Sequence, residues 1–351
     1  MSRSRDFGSA AGSLAAPSSA NNGYSYVVDT TQASGWNVAP NTNPNWLING
    51  GAEIWQRGTT WTADNKFIAD RWFWSDTSVG GQSSDVPSGQ GFSSSMYFAH
   101  TATGHYPRID YYMPSEEAIF LAGKTVTMSF WAKNNSAGTA GFYGEQQIPT
   151  SANVFGGGVN NLGGPTFAAP SSFSTSWQKY TWTFVVNATA ATNGLLLHVF
   201  RDTSSASSTL VTGLKLELGS VATPFVRYGQ NYTGEFIACQ RYFQLMPPTY
   251  VQALSAGSAG FNWYPSIPMR TTPALTLTGS PSTTVYYESA AWSLVGSLTA
   301  ASVNNGHITG YGGDILLAGT FSPAANNQAN GAYPTKIGAG IGWMNFNSEL
   351  R

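Results

Sequence analysis

Residues 46–74, WLINGGAEIWQRGTTWTADNKFIADRWFW, hold five of the chain's twelve tryptophans. No other segment carries as much apolar area, so any fold open to this chain must bury this stretch first. It reads as two apolar strands, WLI and AEIW, punctuated by Gly50 and Gly51. A polar loop and a third, aromatic strand, IADRWFW, follow. Paired glycines supply a turn or bulge that a side-chain-bearing residue resists. With Arg57 and Arg71 set among the rings, the stretch predicts the opening of a β-sandwich core.

Composition agrees. Charged residues are only 9% of the chain and aromatics reach 14%, where a typical domain is roughly a quarter charged. Gly, Ser, Thr and Asn fill the difference, which is the profile of short strands and many turns. A net charge of −1 argues against nucleic acid, which needs clustered Lys and Arg. So little charge suits a protein working inside an assembly. The single cysteine, Cys239, excludes an intrachain disulfide framework and reads as a buried thiol. No apolar run approaches the ~20 residues that span a bilayer. The first twenty residues lack the apolar stretch of a secretory signal, so synthesis in a host cytoplasm and release by lysis are expected.

Taken in order, residues 1–45 show no pattern able to bury a core and read either as a disordered tail or as an arm that orders against a partner. Residues 46–233 read as strands separated by Gly/Ser/Asn turns. In KTVTMSFWAK, Val126, Met128, Phe130 and Ala132 alternate with Thr127, Ser129, Trp131 and Lys133, the period of a half-buried strand. Residues 152–172 form a Gly-rich loop longer than folding requires. GEFIACQRYFQLM (234–246) has helical spacing ended by Pro247-Pro248, a connector over 234–248. Residues 249–351 return to strands: LTLTG, TVYYES, WSLVGSLTA, DILLAGTF and IGAGIGWMNF. The expected fold is all-β: a jelly-roll sandwich, one short helix, and a smaller C-terminal β-sandwich.

The run NGGAEIWQRGT followed by ADRW resembles the start of a jelly-roll module of phage and prophage tail-fibre proteins. That module belongs to the galactose-binding-like sandwiches, which include many carbohydrate-binding modules. LAGKTVTMSFWAK (121–133), SWQKYTWTF (176–184), LKLELGSVATPF (214–225), CQRYF (239–243) and FNSEL (346–350) match in the same order. The resemblance covers roughly 46–351. It implies a receptor-binding role, attachment to other virion proteins through residues 1–45, and a homotrimer. In related modules an acid at the place of Glu53, with an aspartate in the last strand, holds a structural calcium. Here that strand reads TGLKLEL and lacks the aspartate, so Glu53 is a weak calcium candidate and no other cofactor is expected.

For catalysis the chain offers no nucleophile elbow, no HExxH and no phosphate-cradling glycine loop. Glu53, Asp64, Asp70 and Asp76 cluster early, but structural hydrogen bonds explain them better than a glycosidase pair. His100, His105, His198 and His307 lack zinc-type spacing. Sugar binding is the chemistry the residues best allow: an aromatic face for stacking, with planar polar groups for hydroxyls. The outward face of the 124–133 strand offers Trp131 and Lys133. Neighbouring strands are expected to add Tyr143, Gln147, His198, Arg108, Asp110 and Tyr112. Trp131 either stacks on a sugar or packs under a loop or another subunit. The expected function is non-catalytic adhesion of a virion tail fibre to a host surface polysaccharide, with no nucleic acid and no membrane insertion. The alternative is a decoration or cement protein that locks particle subunits together.

Overall fold

In a computed structural model the described residues run from 43 to 349, with breaks at 63–64, 78, 101–106, 136–142, 157–158, 162–166, 169–173, 202–207, 247–249, 256–257, 278–282, 288–292, 306–308, 321–333 and 338–343. The short strands Tyr26–Val27 and Asn37–Val38 precede them. Two antiparallel sheets face each other. The first runs Gln178–Val185, Thr125–Asn134, Ser208–Leu218, Ser95–Ala99, Val79–Ser83 and Thr60–Trp61. The second runs Val159–Asn161, Tyr143–Pro149, Leu195–Arg201, Arg108–Met113, Trp72–Ser75 and Lys66–Phe67, with Phe167–Ala168 also paired to Tyr143–Pro149. From Ser95 to Leu218 each successive long strand crosses to the opposite sheet, which is how a jelly roll is wound.

Alternation supplies the core. Val126, Met128, Phe130 and Ala132 meet Ile109, Tyr111 and Met113 of the other sheet, with Trp72, Trp74, Trp182 and Phe184 filling between them. Along Ser208–Leu218 the inward residues are Val211, then Leu214 and Leu216, which strict period 2 forbids. The pairing shifts between Thr212 and Lys215, and Gly213 takes φ +66° there. This bulge moves the following side chains to the other face. Leu214 and Leu216 turn into the core, and Lys215 and Glu217 face outward.

The bulge also frees two backbone groups, and the opening stretch satisfies both. Leu214 N–H donates to the Gly50 carbonyl (2.8 Å), and its carbonyl accepts from Asn45 Nδ2 (3.0 Å). Gly50 packs so closely that a Cβ would overlap the Leu214 carbonyl oxygen. The expected strands WLI and AEIW are therefore absent: 47–52 is a chain of turns. Its organiser is Asn49, fully buried at φ +59°. Asn49 Oδ1 accepts from Glu53 and Ile54 N–H, and Nδ2 donates to the Ile54 and Asp70 carbonyls. Short polar side chains tolerate this left-handed backbone and bond locally. IADRWFW is a strand only from Trp72. Asn45, at the end of the expected arm, is buried and bonded to Leu47 and Leu216, so the ordered fold already includes it.

The helix spans Tyr232–Gln240, capped by Asn231, and ends earlier than the spacing suggests. Phe243–Met246 is a strand, because its backbone pairs with Met344–Asn347, which also pairs with Ala274–Leu277. The remaining six strands, Tyr250–Ser255, Ser258–Trp263, Gly313–Thr320, Ser293–Asn305, Thr283–Tyr287 and Pro334–Ile337, close into a barrel. A second, smaller β-unit is present where the sequence reading has one, but its sheet closes on itself instead of forming two layers. Closure removes both unpaired edges. Among the described residues no helix is long and apolar enough to cross a membrane.

Charge ties the two ends together. Arg71, fully buried at φ +73°, pairs with Glu349 and donates to the Tyr112 carbonyl. Its guanidinium lies 3.5 Å from the Tyr242 ring centroid and 5.0 Å from that of Tyr111. Arg57 pairs with Asp70 (2.7 Å) and Glu349 (3.3 Å) while lying 3.7 Å from the Phe243 ring centroid. Removing one partner of such a buried pair leaves an uncompensated charge. Glu349→Ala is therefore expected to cost about 3 kcal/mol in urea unfolding followed by tryptophan fluorescence. An unchanged midpoint would show that the Glu349 carboxylate does not hold the sandwich.

Glu235 gives a pH signature. Its Oε1 accepts from Asn49 N–H (2.8 Å) and Tyr228 N–H (3.3 Å), while Oε2 is buried without a partner. Burial outweighs these two donors and pushes the carboxyl from 4.5 up to about 7. The folded chain thus holds this proton more tightly than the unfolded chain. The stabilisation is complete below pH 4.5 and declines as pH rises through 7. Glu235→Gln should flatten the fall of the melting temperature between pH 5 and 7.5 relative to wild type; parallel curves would contradict the assignment.

Candidate functional site

The outward face of the second sheet carries a row of polar and aromatic side chains. Its register aligns them in rows. Phe67 pairs with Phe73, Phe73 with Asp110, Asp110 with His198, and His198 with Glu145. One step along, Tyr112 pairs with Leu196 and Leu196 with Gln147. Directly opposed residues share a face with Cβ atoms about 5 Å apart. In RIDYYM the core takes Ile109, Tyr111 and Met113, which leaves Arg108, Asp110 and Tyr112 pointing away from it.

The two ends of this face differ. At one end Phe67, Phe73, Tyr112, Phe155 and Leu196 form an apolar cluster of their own. Phe155 stacks on Tyr112 at 5.0 Å and 18°, and Phe67 meets Phe73 edge-on at 5.2 Å. Phe155 comes from the start of the Gly-rich loop. Asn153 fixes that start: its Oδ1 accepts from Ser115 N–H (2.8 Å), and its own N–H donates to the Asn193 carbonyl (3.0 Å). Toward the other end Asp110 holds both of its neighbours, His198 through Nδ1 (2.6 Å) and Arg108 through Nε (3.1 Å). Beside them lie Glu145 and Gln147, each at least nine-tenths buried. Gln147 Oε1 has no hydrogen-bond partner. Its neighbour Gln146, on the opposite face, uses both amide atoms, on the Val185 carbonyl and Asn187 N–H. A buried acceptor left without a donor calls for one, which an ordered water or a ligand group can supply.

Of the residues singled out from the sequence, Arg108, Asp110, Tyr112, Gln147 and His198 share this face. Tyr143 begins the same strand as Gln147, and its side chain lies outside the described residues. Trp131 and Lys133 do not join them. Their strand belongs to the first sheet, where Trp131 faces Lys179 and Thr212. The expectation that these strands are neighbours sharing one outward face fails because the jelly roll sends each successive strand to the other sheet. Trp131 is half-buried. Lys133 pairs with Asp85 (2.5 Å), which also accepts from Trp177 Nε1 (2.8 Å). Glu145, Phe67, Phe73 and Phe155 were not foreseen. Alternation in YGEQQIP was legible for Glu145; the partner of that strand was not.

The early carboxylates have structural duties. Asp70 is bound by Arg57 and Gln56 Nε2. Both oxygens of Glu53 bond Arg227 at 2.7 Å, and Ser93 adds a third bond. Arg227 holds this carboxyl below its ordinary value even though burial opposes it. In the last sandwich strand Glu217 bonds Thr223 and Lys215. With arginine and lysine as the resident cations, Glu53 does not fit a calcium site, and the described residues contain no group of three or more His, Cys, Asp or Glu able to hold a metal. Cys239 is buried, and burial pushes its thiol well up. His105 and His307 lie outside the described residues.

No protein-family model matches this chain, and no curated protein matches it. Among solved structures it is similar to the enzymatically active domain of tailspike protein 4 of bacteriophage CBA120 (15% identity, TM-score 0.31), over 50% of this chain and 21% of that one. It thus spans about a fifth of the tailspike's length. It is also similar to TmCBM61, solved with β-1,4-galactotriose (12%, TM-score 0.31, 50% of this chain and 99% of that one). A third is the CBM22-1 xylan-binding domain of Paenibacillus barcinonensis Xyn10C (14%, TM-score 0.30, 52% and 100%).

The Glu53–Arg227 pairing makes metal removal a direct check. Melting curves in excess EDTA and in millimolar calcium chloride should coincide, whereas Glu53→Ala should lower the melting temperature in both. A calcium-dependent rise would restore a metal to this place.

Proposed function

We propose that the outward face of the second sheet binds a glycan on a host-cell surface. We further propose that the chain is a bacteriophage virion component, a tail fibre or receptor-binding adhesin, that holds this glycan without cleaving it. The observation that carries the reading is the cross-strand row Phe73–Asp110–His198–Glu145 with the unpaired Gln147 acceptor beside it. Sugar recognition needs apolar surface against the pyranose C–H face and fixed planar polar groups against its hydroxyls. Asp110 fixes His198, whose other ring nitrogen is left to address a ligand, and cross-strand aromatics stiffen the apolar end. Rigid strands hold such a constellation better than loops.

The virion setting is supported by the ordered motifs from NGGAEIWQRGT to FNSEL. On that reading residues 1–45 attach the protein to the particle and the assembly is a homotrimer. Non-catalytic binding is supported by Asp110, whose two oxygens are committed to Arg108 and His198. A glycosidase instead needs a free pair of carboxyl groups flanking the bond.

The test is retention of the purified protein on extracted host polysaccharide. Gln147→Ala and His198→Ala, if folded by circular dichroism, should each lose about 2 kcal/mol of binding, as residues at the centre of a site do. Trp131→Ala should bind as wild type. The reverse pattern would move the site to the first sheet. Release of reducing sugar would sink the non-catalytic reading.

A further inference from the structure

Among the described residues four of the five buried acidic side chains have a resident donor, although one Glu235 oxygen is left without one. Asp70 has Arg57, Asp110 has Arg108 and His198, Glu217 has Lys215, and Glu235 takes two backbone N–H groups. Glu145 is 6% exposed, and its carboxylate makes no hydrogen bond or ion pair among the described residues. The two basic side chains nearest in register cannot supply one: His198, directly opposite, is engaged by Asp110, and Arg108 is bound to Asp110 as well. Along the row Glu145 thus faces an imidazole already taken by Asp110.

Such a carboxylate costs free energy unless something donates to it, and a ligand's hydroxyls are suitable donors. Two adjacent hydroxyls of a neutral sugar can each donate to one Glu145 oxygen, replacing the missing partners. A uronate, sialate, sulfate or phosphate entering the same place would meet like charge in a partly desolvated site, where screening is weak. Neighbouring Gln147, with its free acceptor, again asks for a hydroxyl or N–H and offers nothing to an anion at that atom.

We propose that Glu145 is the specificity-determining residue of this face. It accepts hydroxyls of a neutral glycan and excludes acidic ones. The inference rests on the glycan-binding reading above and adds the substrate class.

The experiment is affinity measurement with matched oligosaccharide pairs that differ only in a C6 carboxylate: galacto- against galacturono-, and gluco- against glucurono-. Wild type should favour the neutral member by roughly tenfold or more. Glu145→Gln, which keeps shape and removes charge, should narrow that ratio to about threefold or less by gaining affinity for the acidic member. Gln147→Glu, which adds a second charge, should widen it, and it serves if Glu145→Gln does not fold. Equal or stronger binding of the acidic member by wild type would overturn the proposal, as would ratios unmoved in both variants. Absence of binding to every member of the panel would overturn the glycan reading itself and this refinement with it.

Discussion

A guanidinium with no access to water needs buried partners, and much of this architecture follows from supplying them to Arg71, of which only Nε goes without. The residue sits in the turn that begins the Trp72–Ser75 strand, with a left-handed backbone that few arginines adopt. Its charge is met by Glu349 and its planar faces by Tyr111 and Tyr242. One side chain therefore joins the opening turns, the second sheet, the residues after the helix and the end of the chain. Glu349 also pairs with Arg57, and Arg57 with Asp70. Two arginines and two carboxylates form a compact neutral set in which no member can be lost without stranding another. Buried polar networks of this kind specify a single arrangement more than they add stability.

The same logic separates structural from ligand-facing polar groups. Within the described sandwich Glu53, Asp70 and Glu217 are each completed by a resident cation: Arg227, Arg57 and Lys215. On the outward face of the second sheet that completeness breaks down at Glu145 and Gln147, while Asp110 and His198 beside them are fixed. A face that is rigid yet incompletely satisfied is what a binding site for hydroxyls requires.

Much of the fold could be read from the residues. Alternation from Val126 to Ala132 identified the core face of its strand, and the ordered motifs gave the jelly roll. What could not be read was which strands are neighbours. Period 2 tells each strand its inward face and nothing about its sheet, so Trp131 was grouped with Arg108 and His198 although the core lies between them. Apolar composition at 47–52 is that of strands, yet the chain turns there. Asn49 forms these turns through bonds to residues as distant as Asp70 and Glu235. The helix was drawn too long for a similar reason: Phe243 has helical spacing, but its backbone partner is Asn347, more than a hundred residues away.

The seam between the opening turns and the bulged strand also sets how the module bears load. Asn43 bonds the Leu218 carbonyl, Trp46 N–H the Leu216 carbonyl, Asn45 both Leu214 and Leu216, and Gly50 accepts from Leu214. These bonds run side by side along one strand. Residues 43–50 are thereby stitched to the longest strand of the first sheet, so a load entering ahead of residue 43 reaches the centre of that sheet first.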